Sequence, residues 1–294
     1  MLHAGGLLAT HLAPALDRSG ADYRCTVLPR SDGIAASAVG EDAGLALDDP
    51  ETWPGAVAGV RRIVLADLFL DVGLRHALVE FLAWSAEHGV RHVLCCSVAG
   101  ASPGMVQHRI EEQLLAAGLP CTVLRPTPYF QLLETDYWSG IVSEDRLAMP
   151  WGVGRIAWVD ARDVAEVVAR MDSHGAPPDP GVLTLTGPQP LGGGDIAAAL
   201  TRELGRPVQF EAMSITDYRR FLRDRGVGPV AVHTELVQNV IQRVSLSGRT
   251  DPAHARELGR TPTSLADYVR HRRHRWSPVA RTDSPGASLP EGEA

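Results

Sequence analysis

The chain has 294 residues, 45% of them hydrophobic and 21% charged, so it can bury one sizeable core or two unequal ones. Its net charge of −7 argues against a general nucleic-acid binder, because phosphate contacts need clustered cations. The sequence has no run of about 18 apolar residues and no basic stretch before an apolar core, so it predicts neither a membrane span nor a secretory signal.

The first half of the chain alternates predicted helices and strands. Leu8, Leu12 and Leu16 share one face of a helix that Gly20 ends. Apolar runs predict strands at Cys25–Leu28, Leu45–Leu47, Ile63–Leu65, His92–Cys96 and Cys121–Leu124, and the periodicity predicts helices at Leu74–His88 and Met105–Ala117. Because most of these runs are apolar throughout, they indicate a parallel sheet covered on both faces. Ligands bind such sheets at the carboxyl ends of the strands.

After Leu124 the pattern changes. Helices are predicted at Tyr129–Val142, Arg162–Met171, Asp195–Leu204, Ser214–Arg225, Val230–Arg243 and Leu265–Arg275, and strands at Arg155–Val159, Val182–Thr186 and Val208–Ala212. Asp160 is placed to cap the helix that follows it, and we expect Asp160, Arg162 and Asp163 to be structural. The proline- and glycine-rich residues 277–294 predict a disordered tail.

Residue usage limits the chemistry. The four cysteines, at positions 25, 95, 96 and 121, show no Cys-x-x-Cys spacing, so we expect no metal site and no redox dithiol. A reducing cytoplasm is the simplest compartment for such a chain. All 28 basic residues are arginine, so no lysine is available for a Schiff base or a reductase triad.

The first twenty residues are typical of the glycine turn and first helix of a dinucleotide-binding unit, yet no strand is predicted before them. In a doubly wound sheet of order 3-2-1-4-5-6 that strand is central. Its loss would leave two strand edges unpaired, which proteins avoid. We therefore expect the start codon to lie upstream, and the alternative is a rebuilt sheet.

Several motifs occur along the chain in the order that one family shows. Glu111–Pro126 ends in Leu-Arg-Pro, Pro150–Ala165 contains Trp-Val-Asp-Ala-Arg-Asp-Val-Ala, and Leu185–Pro188, Leu204–Pro207 and Gly259–Tyr268 follow. Together they resemble the NmrA-like branch of the atypical short-chain dehydrogenases/reductases, over roughly residues 4 to 276.

The resemblance implies an α/β protein with a doubly wound parallel Rossmann-type sheet and a smaller α+β C-terminal substrate domain. We expect the dinucleotide-binding domain at 1–150, without its N-terminal strand. The substrate-binding part is expected mainly at 151–276, with some return to the Rossmann domain. If the chain binds a cofactor, the resemblance favours NADP(H).

The glycine motif decides whether a dinucleotide is bound. Counting back from Gly20 at the family's helix length places His3, Gly6 and Ala9 at the three motif positions. Ala9 is acceptable there, whereas a Cβ at a positive-φ turn at His3 would cost roughly 1–2 kcal/mol. Arg30 stands where the family often has an arginine for a 2′-phosphate, and the alternative is a solvated loop arginine. Pro126, at the end of a later strand, is the remaining cofactor-binding candidate.

The candidate catalytic residues are Ser97, Glu111 and Tyr129. Ser97 occupies the place of the superfamily's catalytic serine. The superfamily's Tyr-x-x-x-Lys pair falls on Gln107 and Glu111, which excludes that proton relay. His108 points about 100° away from Gln107 on a helix, so it cannot simply replace it. A structural role for Glu111 or His108 is the alternative.

The substrate pocket is expected at Gln107, Phe130, Gln131 and Trp151, because in the family the segment after Arg125-Pro126 lies over the nicotinamide. Core packing is the alternative for the aromatic residues. The basic run at 270–275 is interpreted as a solvated terminal helix rather than an anion-binding surface.

Three functions remain open. The first is an NAD(P)H-dependent oxidoreductase acting on a small aromatic or enone-like metabolite, for example in secondary metabolism. The second is a cofactor-free isomerase, cyclase or dehydratase on the same scaffold. The third is a non-enzymatic NAD(P)-sensing regulator. We expect a small-molecule substrate, no nucleic acid and no membrane, and we leave a homodimer open.

Overall fold

The computed structural model describes residues 2–3, 6–26, 43–66, 74–116, 118–134, 141–173, 181–243 and 248–276. The chain forms two compact units. The first comprises residues 1–129, 156–190 and 249–263, and the second comprises residues 130–155, 191–248 and 264–294. The predicted boundary at 150 falls inside the second unit, which already begins at residue 130. The segments 156–190 and 249–263 belong to the first unit, and some return of this kind was expected. The predicted tail at 277–294 lies outside the described residues.

The first unit is built on a six-stranded sheet. Its strands are β1 (Leu2–His3), β2 (Cys25–Thr26), β3 (Arg62–Leu65), β4 (His92–Cys96), β5 (Cys121–Pro126) and β7 (Gly181–Leu185). Their order in the sheet is β2-β1-β3-β4-β5-β7. Every pairing in it is parallel. The predicted parallel α/β sheet is thus confirmed.

The N-terminal strand is present, which corrects the prediction that it is absent. Leu2 pairs with Cys25 on one side and with Val64 on the other, so β1 is an interior strand, second in the order of the sheet. They supply the backbone partners that the edges of β2 and β3 need. His3 belongs to this strand, and the motif position that we assigned to the turn is therefore the last residue of β1.

Helices cover both faces of this sheet. They are α1 (Gly6–Ser19), α2 (Trp53–Val57), α3 (Leu74–Glu87), α4 (Val106–Ala116), α6 (Ala161–Ser173) and α10 (Pro252–Leu258). Leu8, Leu12 and Leu16 of α1 pack with Val164 and Val168 of α6 in one core. The other core joins side chains of α2, α3 and α4, among them Trp53, Phe81 and Ile110. Two cores on opposite faces of one sheet make the unit doubly wound.

The second unit contains a two-stranded parallel sheet of β6 (Arg146–Met149) and β8 (Gln209–Ala212). Its helices are α5 (Ile141–Glu144), α7 (Gly193–Leu204), α8 (Ile215–Asp224), α9 (Pro229–Arg243) and α11 (Leu265–Arg272). Two 3-10 turns, Phe130–Glu134 and Arg273–Trp276, also belong to it. No helix in the described part of the chain is both long and apolar enough to cross a membrane.

Two strand predictions are wrong. Arg155–Val159 is no strand, since it contributes only an isolated bridge between Val159 and Tyr129. Leu45–Leu47 is no strand either, although the chain there runs beside β2. The Thr26 hydroxyl contacts the Leu45 carbonyl oxygen at 3.4 Å, and the Ala43 N–H donates to the Cys25 carbonyl at 2.5 Å.

Candidate functional site

The carboxyl ends of the parallel strands place several predicted residues along one edge of the first unit. Helix α1 begins at Gly6, shortly after β1. Ser97 follows β4, Thr127 follows β5, and Thr186 follows β7. This is the edge at which open α/β sheets bind their ligands. We call it the carboxyl edge.

The first turn of α1 suits an anion. It carries no acidic side chain, and the N–H groups of a helix's first turn have no partner within the helix. Ala9 is only 2% exposed and packs in the core beneath the sheet, so a small residue is needed there. Gly6 is the first residue of the helix. Arg30, the predicted 2′-phosphate ligand, lies outside the described residues.

Ser97 is fixed at the carboxyl edge by its backbone. Its N–H donates to the Leu124 carbonyl at 2.8 Å. Its hydroxyl is buried and has no hydrogen-bond partner among the residues that the structure describes. Buried hydroxyls nearly always have a partner, so this group is suited to a ligand or a water.

Glu111 is held by Arg125. The Arg125 Nε lies 3.1 Å from each carboxylate oxygen of Glu111, and Nη2 also donates to Oε2. The Glu111 side chain is 2% exposed. Burial, followed by the charge of Glu111, raises the pKa of the neighbouring Cys121 thiol to about 12. Both carboxylate oxygens of Glu111 are thus bonded to Arg125, and this ion pair joins α4 to β5.

Gln107 lies one helical turn before Glu111 and is half-buried. Residues four apart share a helix face, so Gln107 lies on the side of α4 that faces the sheet. His108 is directed elsewhere, because its Nδ1 lies 3.4 Å from the carboxylate of Glu112. The predicted divergence of positions 107 and 108 is confirmed.

Pro126 and Tyr129 belong to the segment that leaves β5. The Pro126 carbonyl accepts from the Ala99 N–H at 2.8 Å, which ties this segment to the loop after Ser97. Tyr129 is partly buried against the core that contains α1. The Thr127 hydroxyl donates to the Ala157 carbonyl at 2.5 Å. The segment is thus anchored on two sides at the carboxyl edge.

The predicted pocket aromatics are packed inside the second unit. Phe130 is fully buried, with its ring centroid 5.2 Å from that of Tyr268. Trp151 is 1% exposed and donates from Nε1 to the Asn239 side chain at 2.8 Å. Gln131 is also buried. Phe130 and Trp151 therefore lie in the environment of core residues, which was the alternative interpretation of these two aromatic side chains.

The structural role expected for the Asp160 group is confirmed. Asp160 is fully buried and accepts the Arg162 N–H at 2.9 Å, so it caps α6. Asp163 accepts the Thr263 N–H at 2.6 Å and pairs with Arg260. These contacts tie the first unit's last segment, residues 249–263, to α6.

His254 was not singled out from the sequence. It is fully buried in α10, and its Nδ1 lies 2.7 Å from the Thr186 carbonyl oxygen at the carboxyl edge. Its Nε2 has no partner in the described part of the chain, and burial lowers its pKa. Only the Asp251-Pro252 start of α10 could have signalled the helix that carries it. The described residues contain no group of three or more potential metal ligands.

The fold and this edge define the class of protein. A parallel doubly wound sheet, with a helix that begins at a glycine after its first strand, is a Rossmann-type nucleotide-binding architecture. The NADPH-dependent quinone oxidoreductase of Escherichia coli complexed with NADPH matches with a TM-score of 0.76 at 21% identity, over 92% of this chain and 99% of that chain. NmrA, a negative transcriptional regulator in complex with NADP, matches with a TM-score of 0.70 at 14% identity, over 98% and 97%.

The resemblance drawn from the sequence is thereby confirmed. The chain shares its Rossmann-type fold with NmrA and with the quinone oxidoreductase.

Sequence relatives include reductases. The NAD(P)H azoreductase of Xenophilus azovorans is 31% identical over 193 residues, which are 62% of this chain and 64% of that protein. Prestalk A differentiation protein A of Dictyostelium discoideum is 24% identical over 205 residues, 69% of this chain and 65% of that protein. The chain thus spans slightly less than two thirds of the length of these relatives. No family model matches it.

Proposed function

We propose that this protein is an NAD(P)H-dependent oxidoreductase that reduces a small aromatic or enone-like metabolite without a tyrosine–lysine dyad. The observation that carries the proposal is the buried, unpartnered hydroxyl of Ser97 at the carboxyl edge of a Rossmann-type sheet. Support comes from the azoreductase relative and from the quinone oxidoreductase of similar fold, both of which are named as using reduced nicotinamide dinucleotides.

The residues present fit NADP(H). The first turn of α1, from Gly6 through Ala9, would take the pyrophosphate on its free N–H groups, and no carboxylate in that turn would repel it. Pro126 would border the nicotinamide end. Arg30 would take the 2′-phosphate, which is what the family resemblance implies for that position.

When bound, the cofactor supplies a hydride. Ser97 would donate its hydroxyl proton in a hydrogen bond to the acceptor oxygen or nitrogen on which negative charge develops. Tyr129, at the end of the anchored segment after β5, would border the acceptor and, with water, supply the proton. Since both oxygens of Glu111 are engaged by Arg125, Glu111 would hold α4 and Gln107 in place rather than carry the proton.

The decisive experiment is a titration of the purified protein with NADPH, followed by the nucleotide's fluorescence. Oxidation of NADPH is then measured with menadione as a quinone acceptor and methyl red as an azo acceptor. We expect saturable binding and oxidation with at least one acceptor. The absence of a fluorescence change at about 1 mM NADPH, the upper end of ordinary KM values, would exclude the proposal.

A second function, a cofactor-free isomerase, cyclase or dehydratase, is favoured by one observation. His3, in place of the first motif glycine, is the last residue of β1. Conversion of a substrate by protein that binds no NADPH would identify such an enzyme. Binding of NADPH without oxidation by any acceptor would instead identify a dinucleotide-sensing regulator.

The setting of the reaction is also proposed. Cys25, Cys95, Cys96 and Cys121 are all buried thiols that form no disulfide, which suits a reducing cytoplasm. The same proposal includes a substrate from secondary metabolism, which product analysis would check. It also includes a homodimeric state, which sedimentation would check.

A further inference from the structure

Glu134, at the end of the 3-10 turn Phe130–Glu134, is a buried carboxylate surrounded by groups from the C-terminal segment. Arg272 donates to its two oxygens at 2.9 and 2.8 Å, and Arg275 donates at 3.0 Å. The Tyr268 hydroxyl donates to Oε1 as well. The side chain of Glu134 is only 7% exposed. Burial raises its pKa, but the hydrogen bonds from Arg272 and Tyr268 outweigh burial and hold the pKa below the usual range, so Glu134 is ionised.

Two further contacts join the same segments. The Phe130 ring packs against Tyr268, and Trp276 donates from Nε1 to the Leu133 carbonyl at 3.2 Å. In a 3-10 helix, residues three apart lie one above the other, so Phe130 and Leu133 form one row. The neighbouring row is Gln131 and Glu134. The C-terminal segment 265–276 therefore holds both rows of the turn, and we call this set of contacts the clamp.

The clamped turn comes directly after Tyr129 in the chain. Under the proposed function, Tyr129 borders the acceptor. The backbone of the segment from Tyr129 to Glu134 is held by two anchors. The bridge between Tyr129 and Val159 fixes the start of the segment at the carboxyl edge, and the clamp on Glu134 fixes its end.

We propose that Glu134 is a positioning residue for the organic acceptor, acting on Tyr129 through the 3-10 turn that follows Tyr129 in the chain and that Glu134 ends. This inference rests on the proposed function. Glu134 has no role with the acceptor itself, because its oxygens are taken by Arg272, Arg275 and Tyr268. Two members of the basic run at 270–275, Arg272 and Arg275, thus pair with an internal carboxylate.

The test compares E134Q with E203Q. Glu203 pairs with Arg270 of the same C-terminal helix at 3.4 Å and is also largely buried, but it is not part of the clamp. E203Q is therefore a matched control for loss of one carboxylate that pairs with an arginine of that helix. Both variants are assayed for the Kd of NADPH and for kcat and KM with menadione.

We expect E134Q to raise the KM for menadione on the order of tenfold, since small displacements of positioning groups have large kinetic effects. The Kd of NADPH should stay within about twofold of the wild-type value, and E203Q should resemble the wild type. A KM for menadione that is equal in E134Q and E203Q would overturn the proposal. So would an equal loss of NADPH affinity and acceptor affinity in E134Q, because that pattern indicates general unfolding.

A second measurement keeps the clamp separate from the proposed function. Hydrogen exchange of the amides of residues 130–134 should be faster in E134Q than in E203Q, whether or not NADPH is oxidised. If the wild type oxidised no NADPH, the proposed function would fail and the role towards an acceptor would fail with it. Faster exchange in E134Q would still support the clamp, and equal exchange would overturn it.

The variant E134D provides the conservative rescue. It keeps the charge that Arg272 and Arg275 require, and we expect it to recover most of the menadione KM. E134Q should still fold, because the side chains of Arg272 and Arg275 are 29% and 53% exposed and can be hydrated once the carboxylate is lost. Circular dichroism of all three variants confirms their folded state before kinetics are compared.

Discussion

Two polar residues at the carboxyl edge, Ser97 and Glu111, differ in what their side chains contact. The hydroxyl of Ser97 is buried without a partner among the described residues, whereas both oxygens of Glu111 are bonded to Arg125. Both were catalytic candidates on sequence alone. This difference predicts that substitution of Ser97 lowers activity, whereas substitution of Glu111 lowers stability.

Replacing Ser97 with alanine should lower kcat/KM for the acceptor by about 100-fold, because it removes a donor aimed at developing charge. The Kd of NADPH should change little. Steady-state kinetics with menadione and NADPH fluorescence measure the two quantities. Ser85→Ala is the matched control, since Ser85 is buried as well but donates to the Phe81 carbonyl within α3. A Ser97→Ala enzyme with wild-type kcat/KM would remove Ser97 from the mechanism.

Replacing Glu111 with glutamine should act on stability rather than on the pH dependence of the reaction. Loss of one partner from a buried ion pair typically costs about 3–5 kcal/mol, and partial exposure of Arg125 should reduce this cost. Urea unfolding gives the change in the free energy of unfolding. If E111Q keeps wild-type stability but loses one limb of the pH–rate profile, Glu111 is an acid–base catalyst and the ion-pair role assigned here is wrong.

Among the secondary-structure elements, prediction succeeded where periodicity is strong and contacts are local. Helices α3 and α4 lie within one residue of the bounds predicted from their apolar spacing at both ends. Strand β6 was missed because Arg146–Met149 contains helix-favouring residues and pairs with Gln209–Ala212, far along the chain. Strand β1 was missed because two residues carry no periodicity, and only pairing on both sides defines them.

The end of β7 depends on close backbone approach at Gly187. A Cβ at this position would lie 1.8 Å from the Trp158 carbonyl oxygen, and the Gly187 N–H donates to the Ala157 carbonyl at 2.9 Å. Gly187→Ala should therefore reduce the free energy of unfolding by about 1–3 kcal/mol, the usual cost of overpacking. Gly194→Ala is the control, because its Cβ would meet nothing within 4 Å. Equal urea midpoints for the two variants would contradict this reading of Gly187.

The whole molecule combines segments that are distant in the sequence. Residues 156–190 and 249–263 return to the first unit, where β7 pairs with β5 and α6 packs against α1. The sequence analysis expected some return to the first domain but could not say which segments return, because domain membership depends on contacts and not on sequence order. The NmrA-like motifs identified the family resemblance because they occur in order, whatever unit each belongs to.

The stability of the protein as a whole should fall as the pH falls from about 6.5 towards 4. Burial lowers the pKa of His92 to about 4 and also lowers that of His254. Both imidazoles stay neutral in the folded protein at pH values where the unfolded chain, with histidine pKa values of about 6.5, takes up protons. Their contribution is fully present above pH ~6.5 and decreases by up to ~1.4 kcal/mol per pH unit for each group below it.

Urea unfolding at several pH values measures this slope. His92→Gln should reduce it, whereas His76→Gln, whose side chain is 86% exposed in the wild type, should leave it unchanged. A slope in His92→Gln equal to that of the wild type would show that His92 does not titrate between the folded and unfolded states in this range.

The sequence by itself determined the parallel α/β class, the strong helices, the capping role of Asp160 and the NmrA-like resemblance, because each depends on local periodicity or on ordered motifs. The tertiary structure decided that β1 is paired on both sides within the sheet, that Glu111 is paired with Arg125, and that Phe130 and Trp151 are packed in the second unit. It also revealed the clamp on Glu134. These features arise from contacts between residues far apart in the chain, and no local pattern of residue types encodes which distant partner each one meets.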